Sequence, residues 1–86
     1  MPEIEIFTGP NCTYCQKAKA LLDRRGIVYS ERDIAADAAQ FEALHRRLPR
    51  AKAIPQIVVD GDHLGSYEDL RLLDETDGLG RLRGAA

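Results

Sequence analysis

The feature that most constrains this chain is Cys12-Thr13-Tyr14-Cys15, because of what stands on either side of it. Ahead of it residues 3 to 8 read EIEIFT, with Ile4 and Ile6 alternating with Glu3 and Glu5 before Phe7, which is a short strand of period two. Behind it, from about Thr13 to Arg25, the apolar positions Tyr14, Ala18, Leu21 and Leu22 recur at helical spacing. Lys17, Lys19, Asp23 and Arg24 flank them, and Gly26 supplies a C-terminal stop. Gly9-Pro10-Asn11 is the loop between strand and helix, so the cysteine pair stands where one hands over to the other.

Residues 27 to 32 (IVYSER) read as a second strand, parallel to the first because a helix of suitable length connects them. Asp37 and Gln40 have capping-box spacing, and Ala38, Phe41, Leu44 and Leu48 form an apolar stripe that Pro49 ends. Arg46 and Arg47 fall in the last turn of that second helix, where the helix dipole favours cations. A basic loop, Arg50 to Ile54, leads to Pro55, then Gln56-Ile57-Val58-Val59 forms a strand and Asp60-Gly61 is the strongest hairpin signal in the chain. His63-Leu64 opens the returning strand. Gly65 and Ser66 lead into a third helix, Tyr67 to Glu75, with Leu70, Leu72 and Leu73 on its apolar side and Glu68 and Asp69 in its first turn. The tail over 77–86 is rich in Gly and Arg and is expected to fray.

This order, β-α-β-α-β-β-α, predicts an α/β domain in which a four-stranded mixed sheet is flanked by three helices. A chain of 86 residues has no room for a second core, so one domain spans 1–86, and 44% hydrophobic residues are too many for disorder. Twelve Lys+Arg against 14 Asp+Glu leave a net charge of −2, with a basic cluster only at Arg46, Arg47, Arg50 and Lys52, which disfavours broad nucleic-acid binding. No apolar run approaches the roughly 20 residues of a membrane span, and the start MPEIEIFTG has neither a basic n-region nor an apolar h-region. The expectation is a cytoplasmic protein without membrane partners. In that compartment structural disulfides are rare, and a close pair of cysteines needs a catalytic or metal explanation.

Residues three apart on a helix share a face, so the two sulfurs can meet. The free amides and the dipole at a helix N-terminus stabilise a thiolate on Cys12, the expected nucleophile, while Cys15 lies a turn inside and serves as the resolving thiol. A structural disulfide closing so short a loop adds little stability. Structural zinc needs four ligands, and His45 and His63, the remaining nitrogen candidates, are not at ligand spacing. No metal is expected on that ground. A C-x-x-C that follows a strand and opens a helix inside a βαβ pattern points to thiol–disulfide exchange.

Together these stretches resemble the glutaredoxin family of the thioredoxin fold, in particular the small dithiol glutaredoxins of bacteria. The resemblance covers residues 3 to 79 and rests on EIEIFT, CTYCQKAKALL, IPQIVVDGDHLG and SYEDL, separated motifs that agree in order and spacing. It implies a thioredoxin-like fold and glutathione as co-substrate with no obligatory metal. It also implies that Ile54 presents its backbone to the cysteinyl part of glutathione, that Pro55 is cis, and that Tyr14 walls the site. Tyr67 and Glu68, with Asp69 beside them, match the N-terminus of the last helix, which in the family holds the γ-glutamyl carboxylate on backbone amides and the adjacent ammonium on an acid. Arg50 and Lys52 are the positions nearest to those that hold the glycyl carboxylate. The partners implied are glutathione and glutathionylated or disulfide-bonded proteins, ribonucleotide reductase among them, acted on by a monomer that binds no nucleic acid.

Three residues depart from the family pattern. Gly9 stands where lysine is common, which removes one cation near the thiolate. Thr13 replaces the proline of Cys-Pro-Tyr-Cys and restores a backbone donor. Ser66 replaces the second glycine of a Gly-Gly pair, where it either caps the last helix or alters the approach of a partner. Thr13 keeps open a second function, a dimer holding a [2Fe-2S] cluster between two Cys12 thiolates and two glutathiones. Gly9 keeps open a third, an electron donor served by thioredoxin reductase.

Overall fold

The structure, a computed structural model, describes residues 3–49, 53–76 and 78–79. Its organising element is β1, Ile4–Thr8, an inner strand with neighbours on both edges and helices over both faces, and it is buried along its whole length. On one edge it pairs in parallel with β2, Ser30–Asp33; on the other it pairs antiparallel with β3, Gln56–Val59, which in turn pairs with β4, Asp62–Gly65. The sheet order is β2-β1-β3-β4. With α1 (Thr13–Arg24), α2 (Ala38–Arg47) and α3 (Tyr67–Glu75), the four strands give the mixed sheet and three helices that the sequence predicts.

Side chains alternate across the two faces. Ile4 and Ile6 of β1 and Ile57 of β3 pack under α1, through Ala18, Leu21 and Leu22, and under α3, through Leu70. Phe7 and Val58 point the other way, to Leu44 of α2 with Ala43, Leu48, Ile34 and Ile54 around them. The period-two alternation of β1 thus does not leave it a solvent face: α2 covers the side of Glu5, which is only 5% exposed. Its carboxylate is compensated by two arginines. Arg47 of α2 donates to both oxygens at 2.6 and 3.0 Å, and Arg32 of β2 donates at 2.8 Å. The Arg47 hydrogen bonds, and then those of Arg32, hold the Glu5 carboxyl below its ordinary range against the opposing effect of burial.

Four expectations change in detail. The second strand begins at Ser30 rather than residue 27, because the preceding backbone is used to close α1: the Ile27 N–H donates to the Leu22 carbonyl at 2.9 Å and the Gly26 N–H to Asp23 at 3.1 Å, with Gly26 at φ 71°. This is a Schellman closure, in which Ile27 and Leu22 also meet in the core. Asp37 caps α2 through the Ala39 N–H at 2.9 Å, but Gln40 accepts from Arg32 instead of completing a capping box. The apolar stripe of α2 is reduced to Leu44 and half-buried neighbours, while Phe41 is 47% exposed and lies edge-on to His45. The hairpin is as read: Asp60 and Gly61, at φ 51° and 85°, form the primed turn that a tight hairpin requires.

The fourth change concerns the tail. Leu79, inside the stretch expected to fray, is 2% exposed and belongs to the core under α1 and α3, while Asp77 and residues 80–86 lie outside the described residues. Gly78 permits this, since a Cβ there would meet the Leu73 side chain at 2.3 Å. Leu79→Ala is expected to cost about 2–4 kcal/mol, read as a lower urea midpoint; a change within error would return residue 79 to a dispensable tail.

A second outcome follows from Glu5. Its carboxyl titrates lower when folded than when unfolded, so its contribution is complete above the ordinary value of 4.5 and is lost as pH falls through the folded value. Glu5→Gln is expected to lose about 1–2 kcal/mol at pH 7 and to show a flatter decline of stability below pH 5 (roughly), measured by urea unfolding across pH.

Candidate active site

The site is built at the C-terminal end of β1. Asn11 turns the chain there at φ 55°, a conformation asparagine tolerates better than most residues. Cys12, with extended backbone at φ −112°, is the N-cap of α1, and its Sγ accepts the Cys15 N–H at 3.1 Å as a cap oxygen would. No acid lies in the first turn of α1, so no carboxylate there offsets the positive end of the helix dipole, and a thiolate on reduced Cys12 is favoured. Cys15, one turn inside, is completely buried, whereas Cys12 is only partly so. The two are joined by a disulfide, with Cα atoms 5.2 Å apart. The asymmetry expected of an attacking and a resolving thiol is thus present as burial and as helix position.

Across from Cys12 runs the segment that enters β3. The Ile54–Pro55 peptide bond is cis, as the resemblance implies, and the Ile54 carbonyl oxygen lies 3.8 Å from Cys12 Sγ. The third wall is the N-terminus of α3. A groove of about 290 Å³ is lined by Tyr14, Ala53, Ile54, Pro55, Ser66, Tyr67 and Glu68. The Tyr14 and Tyr67 rings are 5.8 Å apart, and the Lys17 ammonium stands 5.3 Å over the Tyr14 ring. Tyr14, counted among the apolar positions of the first helix, is in fact 57% exposed, so its ring is available to a ligand instead of the core.

The structure brings together Cys12, Cys15, Tyr14, Ile54, Pro55, Tyr67 and Glu68. Asp69 lies apart from the groove lining: its Oδ2 accepts from the Ser66 N–H at 2.9 Å and from the Ser66 hydroxyl at 3.2 Å. It orders the start of α3 and leaves Glu68, ion-paired to Arg71 and mostly exposed, as the acid beside the groove. That pairing holds the Glu68 carboxyl below its usual range. Arg50 and Lys52 lie outside the described residues. Ala53 and Ser66 also line the groove and Lys17 stands over Tyr14, and no sequence motif assigns these three to a binding role.

The three departures have physical explanations here. Gly9 is buried, and a Cβ on it would come 2.8 Å from Ile54 Cδ1, so any side chain there requires the Ile54 side chain to move. Thr13 is the first residue of α1, where a backbone N–H has no intrahelical acceptor. Ser66 is the N-cap of α3 in an ordinary extended conformation, φ −93°, so the side chain is accommodated and serves the cap. Gly65 must remain glycine: it has φ 134°, and a Cβ would lie 2.2 Å from Asp69 Oδ2.

Comparison with known proteins agrees with this geometry. Residues 4–64 match the family model described as glutaredoxin. The chain is 40% identical over 79 residues to glutaredoxin 3 of Escherichia coli K12, covering 92% of this chain and 94% of that protein. The solution structure of glutaredoxin from Brucella melitensis superposes with TM-score 0.76 at 32% identity, over 98% of this chain and 92% of the other. A buckwheat glutaredoxin–glutathione complex shares the fold at TM-score 0.82 and 19% identity, over 96% and 77% of the two chains. No helix among the described residues is long and apolar enough to cross a membrane.

The burial difference between the cysteines is directly testable. After reduction at neutral pH, iodoacetamide is expected to modify Cys12 and to spare Cys15 until denaturant is added, as read by peptide mass spectrometry. Equal labelling of both in the folded protein would contradict the arrangement described.

Proposed function

The chain belongs to the glutaredoxin family and is a thiol–disulfide oxidoreductase; from that premise we propose that glutathione is its reductant and that glutathionylated and disulfide-bonded proteins are its substrates. The observation that carries this reading is the placement of Cys12 at the N-terminus of α1, its Sγ 3.8 Å from the carbonyl of Ile54, beside a groove walled by the Ile54–Pro55 segment and the start of α3. The backbone of Ile54, just ahead of the cis bond to Pro55, offers hydrogen-bonding groups to a cysteinyl unit. The free amides at Tyr67 and Glu68 suit a carboxylate, and the Glu68 side chain suits the ammonium next to it. Tyr14 covers the tripeptide from the side. Arg50 and Lys52 remain the proposed holders of the glycyl carboxylate.

In the proposed cycle the Cys12 thiolate attacks the glutathione sulfur of a protein–glutathione disulfide. A Cys12–glutathione bond forms, the protein–glutathione bond breaks, and the protein leaves as a thiolate that takes a proton from water. A second glutathione thiolate then attacks the adduct at the glutathione sulfur. This releases oxidised glutathione and returns the electron pair of the broken bond to Cys12. With a protein disulfide, Cys12 forms a mixed disulfide with one protein sulfur and the other leaves. Cys15, once deprotonated, attacks the Cys12 sulfur, closes the Cys12–Cys15 disulfide and releases the remaining protein sulfur as a thiolate; two glutathiones then reduce that disulfide, leaving as oxidised glutathione. A reducing compartment such as the cytoplasm keeps the pair available for this work.

The test is turnover of a glutathione mixed disulfide coupled to glutathione and its reductase. Cys12→Ser is expected to fall to the uncatalysed rate, and Cys15→Ser to retain this activity while losing reduction of protein disulfides. Absence of glutathione-dependent turnover in the folded wild type, with turnover through thioredoxin reductase instead, would overturn the reading.

A further inference from the structure

Among the described residues three polar side chains other than the cysteines and glycines are buried: Glu5, Thr8 and Gln56. Glu5 is matched by its arginines, and the Thr8 hydroxyl donates to Glu31 at 2.8 Å. Gln56 has no part in the chemistry described so far, yet it follows Pro55 directly and is 7% exposed. Its backbone is in register with Phe7 of β1 as the first residue of β3. Its side chain turns back over the entry segment, where Nε2 donates to the Ala53 carbonyl at 2.8 Å. Its Oε1 lies 2.7 Å from Nε2 of His63 on β4.

This chain of contacts has a defined direction. A carboxamide has one donating and one accepting end, so with its nitrogen committed to the Ala53 carbonyl, its oxygen faces His63 and the ring Nε2 must carry the donated proton. Turning the amide over would set two oxygens against each other at Ala53. The groove-lining residues Ala53, Ile54 and Pro55 are therefore tied by a side-chain hydrogen bond to a rigid strand pair, and that side chain is itself tied to the neighbouring strand. We propose that Gln56 and His63 are positioning residues for substrate binding: Gln56 holds the Ala53 carbonyl, and His63 holds Gln56, so that the Ile54 backbone keeps its place opposite Cys12. This deepens the function proposed above and rests on it.

An interaction that helps bind substrate without taking part in bond exchange acts on KM and leaves kcat nearly unchanged. Under glutathione-coupled turnover of a mixed-disulfide peptide, Gln56→Met is expected to raise KM about five- to tenfold with kcat changed less than about twofold. His63→Phe, at an exposed position, should raise KM about two- to threefold, and His63→Gln, which keeps a donor, should restore it. Since His63 acts through Gln56, the Gln56→Met/His63→Phe double variant should match Gln56→Met alone. Unchanged KM in Gln56→Met and His63→Phe, or full additivity in the double variant, would overturn the proposal.

A second readout separates this result from the fate of the proposed function. The Ala53 carbonyl-carbon and Ile54 amide resonances of the free protein should move in Gln56→Met, move less in His63→Phe, and return in His63→Gln. If wild type shows no glutathione-dependent turnover, the function proposed above fails and this substrate-positioning role fails with it, whatever the resonances do. If wild type turns over and the resonances of the folded variants stay in place, only the positioning proposal fails.

Discussion

Everything in this small fold hangs on β1 being enclosed from four sides. Its edges are taken by β2 and β3, its Ile4 and Ile6 side chains by α1 and α3, and its Glu5 and Phe7 side chains by α2. A five-residue strand held this way has one available register, because slipping by a residue would send Glu5 into the apolar layer under α1 and Ile6 toward the arginines. With β1 fixed, the point where the chain leaves the sheet is fixed, and Cys12 inherits a defined position at the start of α1. The carboxylate in this strand is tolerated because Arg47 arrives from α2 and Arg32 from β2. An acid on the central strand thus fastens the helix of one face to the edge strand of the sheet.

The chemistry of the site follows from where three chain segments end. α1 contributes the positive end of its dipole and a partly exposed cysteine at its cap, and its first turn holds the other cysteine fully buried behind it. The segment before β3 and the start of α3 approach from the opposite side, each presenting backbone groups that no strand or helix bond consumes. Asp69 spends its carboxylate on Ser66, which keeps the first turn of α3 ordered without placing that charge in the groove. The substitution of glycine at position 9 and the bulk of Ile54 fit one another, since a side chain at 9 would press on the Ile54 methyl group. Glycine at position 9 is therefore coupled to the packing of the groove-lining segment.

Much of this was legible along the chain. Strand periodicity, the cap and stop of α1, the Asp60-Gly61 turn and the start of α3 depend on neighbours in sequence, and the structure places them within a residue or two. The pairing of Cys12 and Cys15 and their unequal burial depend on a helix starting between a strand and Cys15, also a local matter. The boundaries that moved did so because distant groups claimed the backbone or side chain involved. Ile27 was drawn into the closure of α1, Gln40 was taken by Arg32, and Leu79 found a place under α1 and α3 that no periodicity in a Gly- and Arg-rich tail announces.

The element types, their order, the mixed sheet they imply and a cysteine pair at a helix start can be read along the chain, because each of these is encoded by spacings of a few residues. Which polar groups are buried, and with whom, depends on how the packed elements meet. Glu5 reads as a solvent-facing residue until α2 is laid across it with Arg47, and Gln56 reads as an ordinary strand residue until its amide is found between the Ala53 carbonyl and His63. The physical reason is the same in both cases. A polar side chain is buried only where its partners have already been brought, and those partners lie 42 residues away for Glu5 and Arg47 and on a different strand for Gln56 and His63.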